Sequence, residues 1–245
     1  MSSRARTTLV LVTAFVAYFV IALRLDAEGT AEAQAAIGLT TWAFLVAALR
    51  FSPWEERLQV VTMVVVATTV EVLCSVVLGV YTYRLDNLPS YVPPGHGLFY
   101  LMALRLSQLG LLRRHVRAIA WSVLVGATAL LFRNLMVPAE PDLFGLATWI
   151  VFIPFIARSR LALLYGVSFV MTMVLEFYGT GLGTWTWAST VPFVGLAAAN
   201  PPACIGAGYC IMDAATRWLA PKVQALWTVG VARYRRRGPS SASGR

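Results

Sequence analysis

The chain has 245 residues, of which 58% are hydrophobic and only 13% charged, and its mean hydropathy is +0.70. That composition excludes an ordinary soluble domain and describes an integral membrane protein. The net charge of +9 would suit nucleic acid, but the placement of the basic residues along the chain argues against that partner.

Eight apolar runs follow one another at 7–23, 33–49, 58–80, 97–112, 118–137, 143–157, 161–178 and 202–220. Each reads as a helix able to cross a hydrocarbon core of roughly 30 Å, the sixth being short. The first run is followed by AEAQA, which suggests a signal-peptide cleavage site, but the run is long for one and its removal would spoil an even helix count. Threaded alternately through a bilayer, the runs put Arg4, Arg6, Arg50, Arg57, Arg113, Arg114, Arg117, Arg158, Arg160, Lys222, Arg233, Arg235, Arg236 and Arg237 on one side. The other side keeps Arg24, Arg84 and Arg133 in company with Asp26, Glu28, Glu32, Asp86, Glu140 and Asp142. By the positive-inside rule both termini are cytoplasmic, in a multi-pass protein of the cell membrane. Residues 1–232 form one membrane domain, and 233–245 read as a disordered basic cytoplasmic tail that meets anionic lipid headgroups.

Two phrases repeat. EVLCSVVLGVYTY, from Glu71 to Tyr83, lies at the end of the third run, and EFYGTGLGTWTW, from Glu176 to Trp187, at the end of the seventh. Each sets a carboxylate in apolar sequence and follows it with a glycine and two aromatics one residue apart, at glutamate-to-glycine offsets of eight and seven. Pro93-Pro94 and Pro201-Pro202 follow in turn and read as helix starts, where a missing N–H has no partner to lose. The expected fold is therefore an all-α bundle of about eight transmembrane helices in two parallel four-helix repeats, 7–112 and 118–220, related by an axis along the membrane normal. Arg105 and Asp213 each lie eleven residues beyond the second proline. A lone charge at that depth is costly, so the two are expected to form an intramembrane ion pair or share a polar cavity.

Glu71 and Glu176 are the candidate catalytic groups, because a buried carboxylic acid can retain a proton and act as a general acid. Tyr81, Tyr83, Trp185 and Trp187 stand where aromatic faces could stabilise a carbocation, although aromatic belts at membrane interfaces produce similar clusters. Gly179, Gly181 and Gly183 form G-x-G-x-G on the outer side of a membrane helix, which is no nucleotide fold. His96 and His115 lie about 28 Å apart at ~1.5 Å per residue of helix and cannot share a metal or haem. His96 reads as a polar loop residue near the cavity mouth and His115 as a cytoplasmic headgroup contact. Cys74, Cys204 and Cys210 lack metal-ligand spacing and read as packing residues.

These residues resemble a family of carotenoid-biosynthesis membrane proteins that includes the bacterioruberin-type carotenoid hydratases. The resemblance rests on Glu71 before Gly79, Tyr81 and Tyr83, and on Gly183, Trp185 and Trp187 followed by GLAAANPP from Gly195 to Pro202. The family's Gly-Val-Pro is Gly195-Leu196-Ala197 here, and its Asn-Phe and Gly-Trp are Asn200-Pro201 and Gly208-Tyr209. The resemblance implies an enzyme that protonates, hydrates or cyclises a lipid-soluble isoprenoid alkene, with Glu71 and Glu176 catalytic and Tyr81, Tyr83, Trp185, Trp187 and Asn200 binding substrate. Neither metal nor organic cofactor is expected; the partners are membrane lipids and the hydrophobic isoprenoid, and not nucleic acid. Two other readings share the same residues: a proton-coupled transporter or flippase of a small lipid or hydrophobic molecule, and a scaffold that binds a partner helix through small residues such as Gly206, Ala207 and Gly208.

Overall fold

The computed structural model describes residues 3–136 and 141–236. Helix α1 (Ser3–Glu28) turns through Gly29 and Thr30 into α2 (Ala31–Arg50), whose first turn Thr30 caps by accepting the N–H of Ala33. Helix α3 (Trp54–Glu71) follows Pro53 and opens with Glu55 and Glu56, acidic side chains suited to a helix N-terminus. It continues as a π-helical segment, Val72–Val77, and then strand β1, Tyr81–Tyr83. Helix α4 (Val92–Ser107) carries its prolines in the first turn, and the short α5 (Gly110–Arg114) leads into α6 (Val116–Leu135). Helix α7 (Leu143–Arg158) is capped by the Asp142 side chain, which accepts the N–H of Gly145. Helix α8 (Ala162–Leu182) ends at Gly183 in the left-handed conformation, and β2 (Trp185–Trp187), β3 (Thr190–Val191), β4 (Leu196–Ala197) and α9 (Ala207–Arg236) complete the order.

Among the described residues five segments are long and apolar enough to cross a bilayer: Ala5–Glu28, Ala31–Arg50, Trp54–Val77, Val116–Leu135 and Ala162–Leu182, with Leu143–Arg158 a shorter apolar helix. Their outward faces carry exposed Val65, Val125, Ile150 and Val174, an apolar exterior that suits lipid. Helix α4 is the inverse case. Leu98 to Leu104 are all buried, and α2, α3 and α8 pack around it. Its contacts with Val60, Met63 and Ala67 of α3, Leu164 of α8, and Tyr209 and Met212 of α9 form the largest apolar core.

The start of α9 departs from the sequence expectation. Pro201-Pro202 do not begin a helix; residues 203–206 form successive turns, with Ile205 bonded back to Pro202 and Ala207 to Cys204, and α9 begins at Ala207. The cause is Asp142, fully buried, whose carboxylate accepts the N–H groups of Ala199 (3.2 Å) and Ala203 (2.7 Å) as well as that of Gly145. Those charge-assisted bonds hold the chain in a non-helical course. At its other end α9 reaches Arg236, inside the segment read as a tail; residues 237–245 and Glu140 lie outside the described residues.

The two repeated phrases meet. Strands β1 and β2 pair antiparallel with Tyr81 opposite Trp187, Thr82 opposite Thr186 and Tyr83 opposite Trp185. Flanking bonds from Arg84 N–H to Thr184 and from Ala188 N–H to Val80, both 3.0 Å, exchange under a local twofold through the Thr82–Thr186 pair. Strand alternation turns the four aromatics to the buried face and both threonines outward.

Candidate functional site

The twofold carries each pair of aromatics to a carboxylate. Glu71, on the last residue of α3, accepts hydrogen bonds at Oε2 from the hydroxyls of Tyr81 (2.7 Å) and Tyr83 (2.8 Å). Glu176, in α8, accepts at Oε2 from the indole N–H groups of Trp185 and Trp187, both at 2.9 Å. In each half one carboxylate oxygen is held by two donors, which fixes the plane of the group.

The offsets of eight and seven residues from glutamate to glycine are reconciled by backbone geometry. Gly79 (φ 62°) and Gly183 (φ 71°) occupy equivalent left-handed positions, where a side chain would be strained. The extra residue of the first phrase is absorbed in the π-helical turn Val72–Val77, since a wider turn accommodates one more residue over the same rise. Gly179 has a different role: the Trp185 ring lies against it and occupies the space a Cβ would need.

Glu71, Glu176 and all four aromatics line one cavity of about 190 Å³, with His96, Tyr209, Cys74 and a predominantly apolar wall that includes Phe19, Leu23, Leu175 and Met212. Burial, and then the adjacent Glu71 carboxylate, push the phenols of Tyr81 and Tyr83 far above their usual range, so both remain protonated donors. The rings pack against one another across the strand pair, Tyr81 with Trp187 at 4.7 Å between centroids and Tyr83 with Trp185 at 6.2 Å.

Sequence reasoning missed Tyr209, and it placed His96 beside the cavity but in a loop. His96 is not a loop residue: it sits in the opening turns of α4, with Nε2 2.8 Å from Glu71 Oε1 and Nδ1 hydrogen-bonded to the hydroxyl of Tyr209 from α9. The signal for His96 was available, since a position two residues beyond Pro94 lies inside a proline-started helix. Tyr209 stood only as the counterpart of the family's Gly-Trp, which assigned it no role.

Two expectations are corrected. Asn200 is exposed, does not line the cavity, and instead accepts the N–H of Trp187 at 3.1 Å, bracing β2 from behind. Arg105 and Asp213 do not pair. Arg105 bonds Ser52 (2.7 Å) and Glu56 (3.3 Å) where α4 meets the start of α3, while Asp213 accepts at both oxygens from Arg217 Nε (2.9 Å each) one turn along α9 and also from the Tyr100 hydroxyl. Nearer partners satisfy each charge, which removes the reason for the two to meet.

Among the described residues no group of three His, Cys, Asp or Glu side chains is placed to share an ion. Comparison of the chain with protein-family models, with curated proteins and with solved structures finds no match.

Proposed function

We propose that the chain is an integral membrane enzyme that protonates a double bond of a lipid-soluble isoprenoid, carotenoid-like in class, and completes its hydration or cyclisation. One observation carries the reading: two carboxylates, each with two aromatic donors on one oxygen, face a single apolar cavity and differ at the other oxygen. Glu71 is bonded at both oxygens, whereas Glu176 Oε1 has no hydrogen-bond partner among the described residues. That oxygen is free to hold a proton and deliver it, which makes Glu176 the general acid and leaves Glu71 with His96 as the opposing basic pair. Aromatic rings beside the carboxylates would stabilise the cation formed on protonation.

The cavity's 190 Å³ is below the ~300–1,000 Å³ that encloses a drug-sized ligand. It suits one end of a long chain whose remainder lies in the bilayer. The finer architecture belongs to the same proposal: eight crossings in two parallel halves, termini cytoplasmic in the cell membrane, and the cavity in the outer part of the bundle. The local twofold of β1 and β2 supports the repeat, and the arginine distribution supports the orientation.

The same twofold favours, as a second reading, a proton-coupled transporter whose halves rock about the site. Lipids copurifying with the wild type and with the Glu71→Gln, Glu176→Gln double variant decide between them by mass analysis. A polyprenoid retained by the variant and lighter by one water than the wild-type species is the expected result for hydration. Identical lipid profiles lacking any isoprenoid would reject the enzyme in favour of the transporter.

A further inference from the structure

We propose that Tyr209 is the hydroxyl that takes up the proton in this cavity, acting through His96, with Glu71 as the anion that fixes the imidazole. The inference rests on the acid–base reading above and adds a reacting group to it.

The assignment follows from hydrogen-bond inventory. Both tyrosine hydroxyls of β1 donate to Glu71 Oε2, and Oε1 faces His96 Nε2 at 2.8 Å. An ionised carboxylate only accepts, so Nε2 carries the imidazole proton. In the neutral ring Nδ1 is then an acceptor, and its neighbour is the Tyr209 hydroxyl, which donates to it. The result is carboxylate, imidazole and hydroxyl in series, the order in which a carboxylate sets the tautomer of a histidine that in turn accepts a proton from a hydroxyl. Tyr209 is buried, lines the cavity, and packs on Phe99 at 4.3 Å between ring centroids, which fixes its hydroxyl against His96. The other titratable groups of this cavity are Cys74 of the π-helical segment, Tyr81, Tyr83 and Tyr91, and Glu176 of α8. None of them is hydrogen-bonded to His96 or Tyr209.

The step balances with water as co-reactant. The O–H of Glu176 breaks as a C–H bond forms on the alkene, giving a carbocation. Water oxygen bonds to the cationic carbon and loses a proton to Tyr209 Oη, while the proton of Tyr209 passes to His96 Nδ1. An imidazolium then stands beside the Glu71 carboxylate, and return of its extra proton to Glu176 closes the cycle.

The chain contains two histidines, so ¹⁵N-histidine labelling of the untagged full-length protein in lipid nanodiscs yields two imidazoles, and His115→Asn assigns them. His96 is expected in the Nε2–H tautomer with Nδ1 as a hydrogen-bonded acceptor. Tyr209→Phe should move the Nδ1 resonance and leave Nε2 protonated, whereas Glu71→Gln should abolish the tautomer preference; thermal unfolding of each variant verifies its fold. An Nδ1–H tautomer in the wild type, or an Nδ1 resonance unmoved in Tyr209→Phe, overturns the relay. In the lipid assay Tyr209→Phe should lower product by about 100-fold or more, the range of a general base. Full product from Tyr209→Phe with loss in Glu176→Gln overturns the relay and leaves the enzyme reading standing. Full product from Glu176→Gln overturns Glu176 as the general acid, and the imidazole spectrum then still decides whether Tyr209 is coupled to His96.

Discussion

Gly179 and Gly181 stand two residues apart near the end of α8, and only one has a reason to be glycine. Space at Gly179 is taken by the Trp185 ring, while a Cβ at Gly181 meets nothing within 4 Å. Gly179→Ala should displace that ring from Glu176 and destabilise the protein by about 1–3 kcal/mol, the cost of overpacking. Gly181→Ala should be neutral or stabilise by up to ~1 kcal/mol through helix propensity. Thermal unfolding of both variants in detergent, followed by tryptophan fluorescence, checks the contrast; equal effects would contradict the packing. At this scale much was legible. Glu71, Glu176 and the four aromatics stood out because a charge in an apolar run and an aromatic pair at strand spacing are local patterns. Arg105 and Asp213 were mispaired for a physical reason: equal offsets along the chain match depth, but each residue also turns a helix by about 100°, and azimuth decides which neighbour a side chain meets. Tyr209 meets His96 only through tertiary approach, so its place beside the imidazole has no local mark.

Five membrane-length helices among the described residues were readable from apolar length, whereas β1 and β2 were not recognisable as partners. Three residues per strand carry too little alternation to fix a register, and the pairing joins segments about 100 residues apart in the chain. The delayed start of α9 depends on a carboxylate from a different helix, Asp142, and is equally invisible in sequence. The π-helical turn offers the clearest test of an element. The second phrase reaches the same strand with one residue fewer, so deletion of the exposed Val76 should convert Val72–Val77 to regular α-helix. The variant should remain folded with unfolding temperature equal to or above wild type, but with Glu71 turned relative to β1 and the His96 tautomer signature lost. Unfolding of the deletion variant at growth temperature would show instead that the wide turn is needed for folding.

For the molecule as a whole, the proposed orientation predicts which side chains an external reagent can reach. Thr186 lies on the exposed side of the strand pair and Arg114 is exposed at the end of α5. In intact cells Thr186→Cys should react with a membrane-impermeant thiol reagent and Arg114→Cys should react only after permeabilisation. The reverse labelling pattern would invert the topology. The pairing of β1 with β2 also has a meaning for biogenesis. When the ribosome has delivered Tyr83, the partner edge at Trp185 is still about 100 residues from synthesis, or roughly 5–20 s at about 5–20 residues per second. During that interval the Tyr81–Tyr83 edge is unpaired and open to pairing with another nascent chain. The closing of the cavity is therefore among the last events of assembly, and a chain truncated before Trp185 presents an incomplete edge that quality-control proteases can recognise.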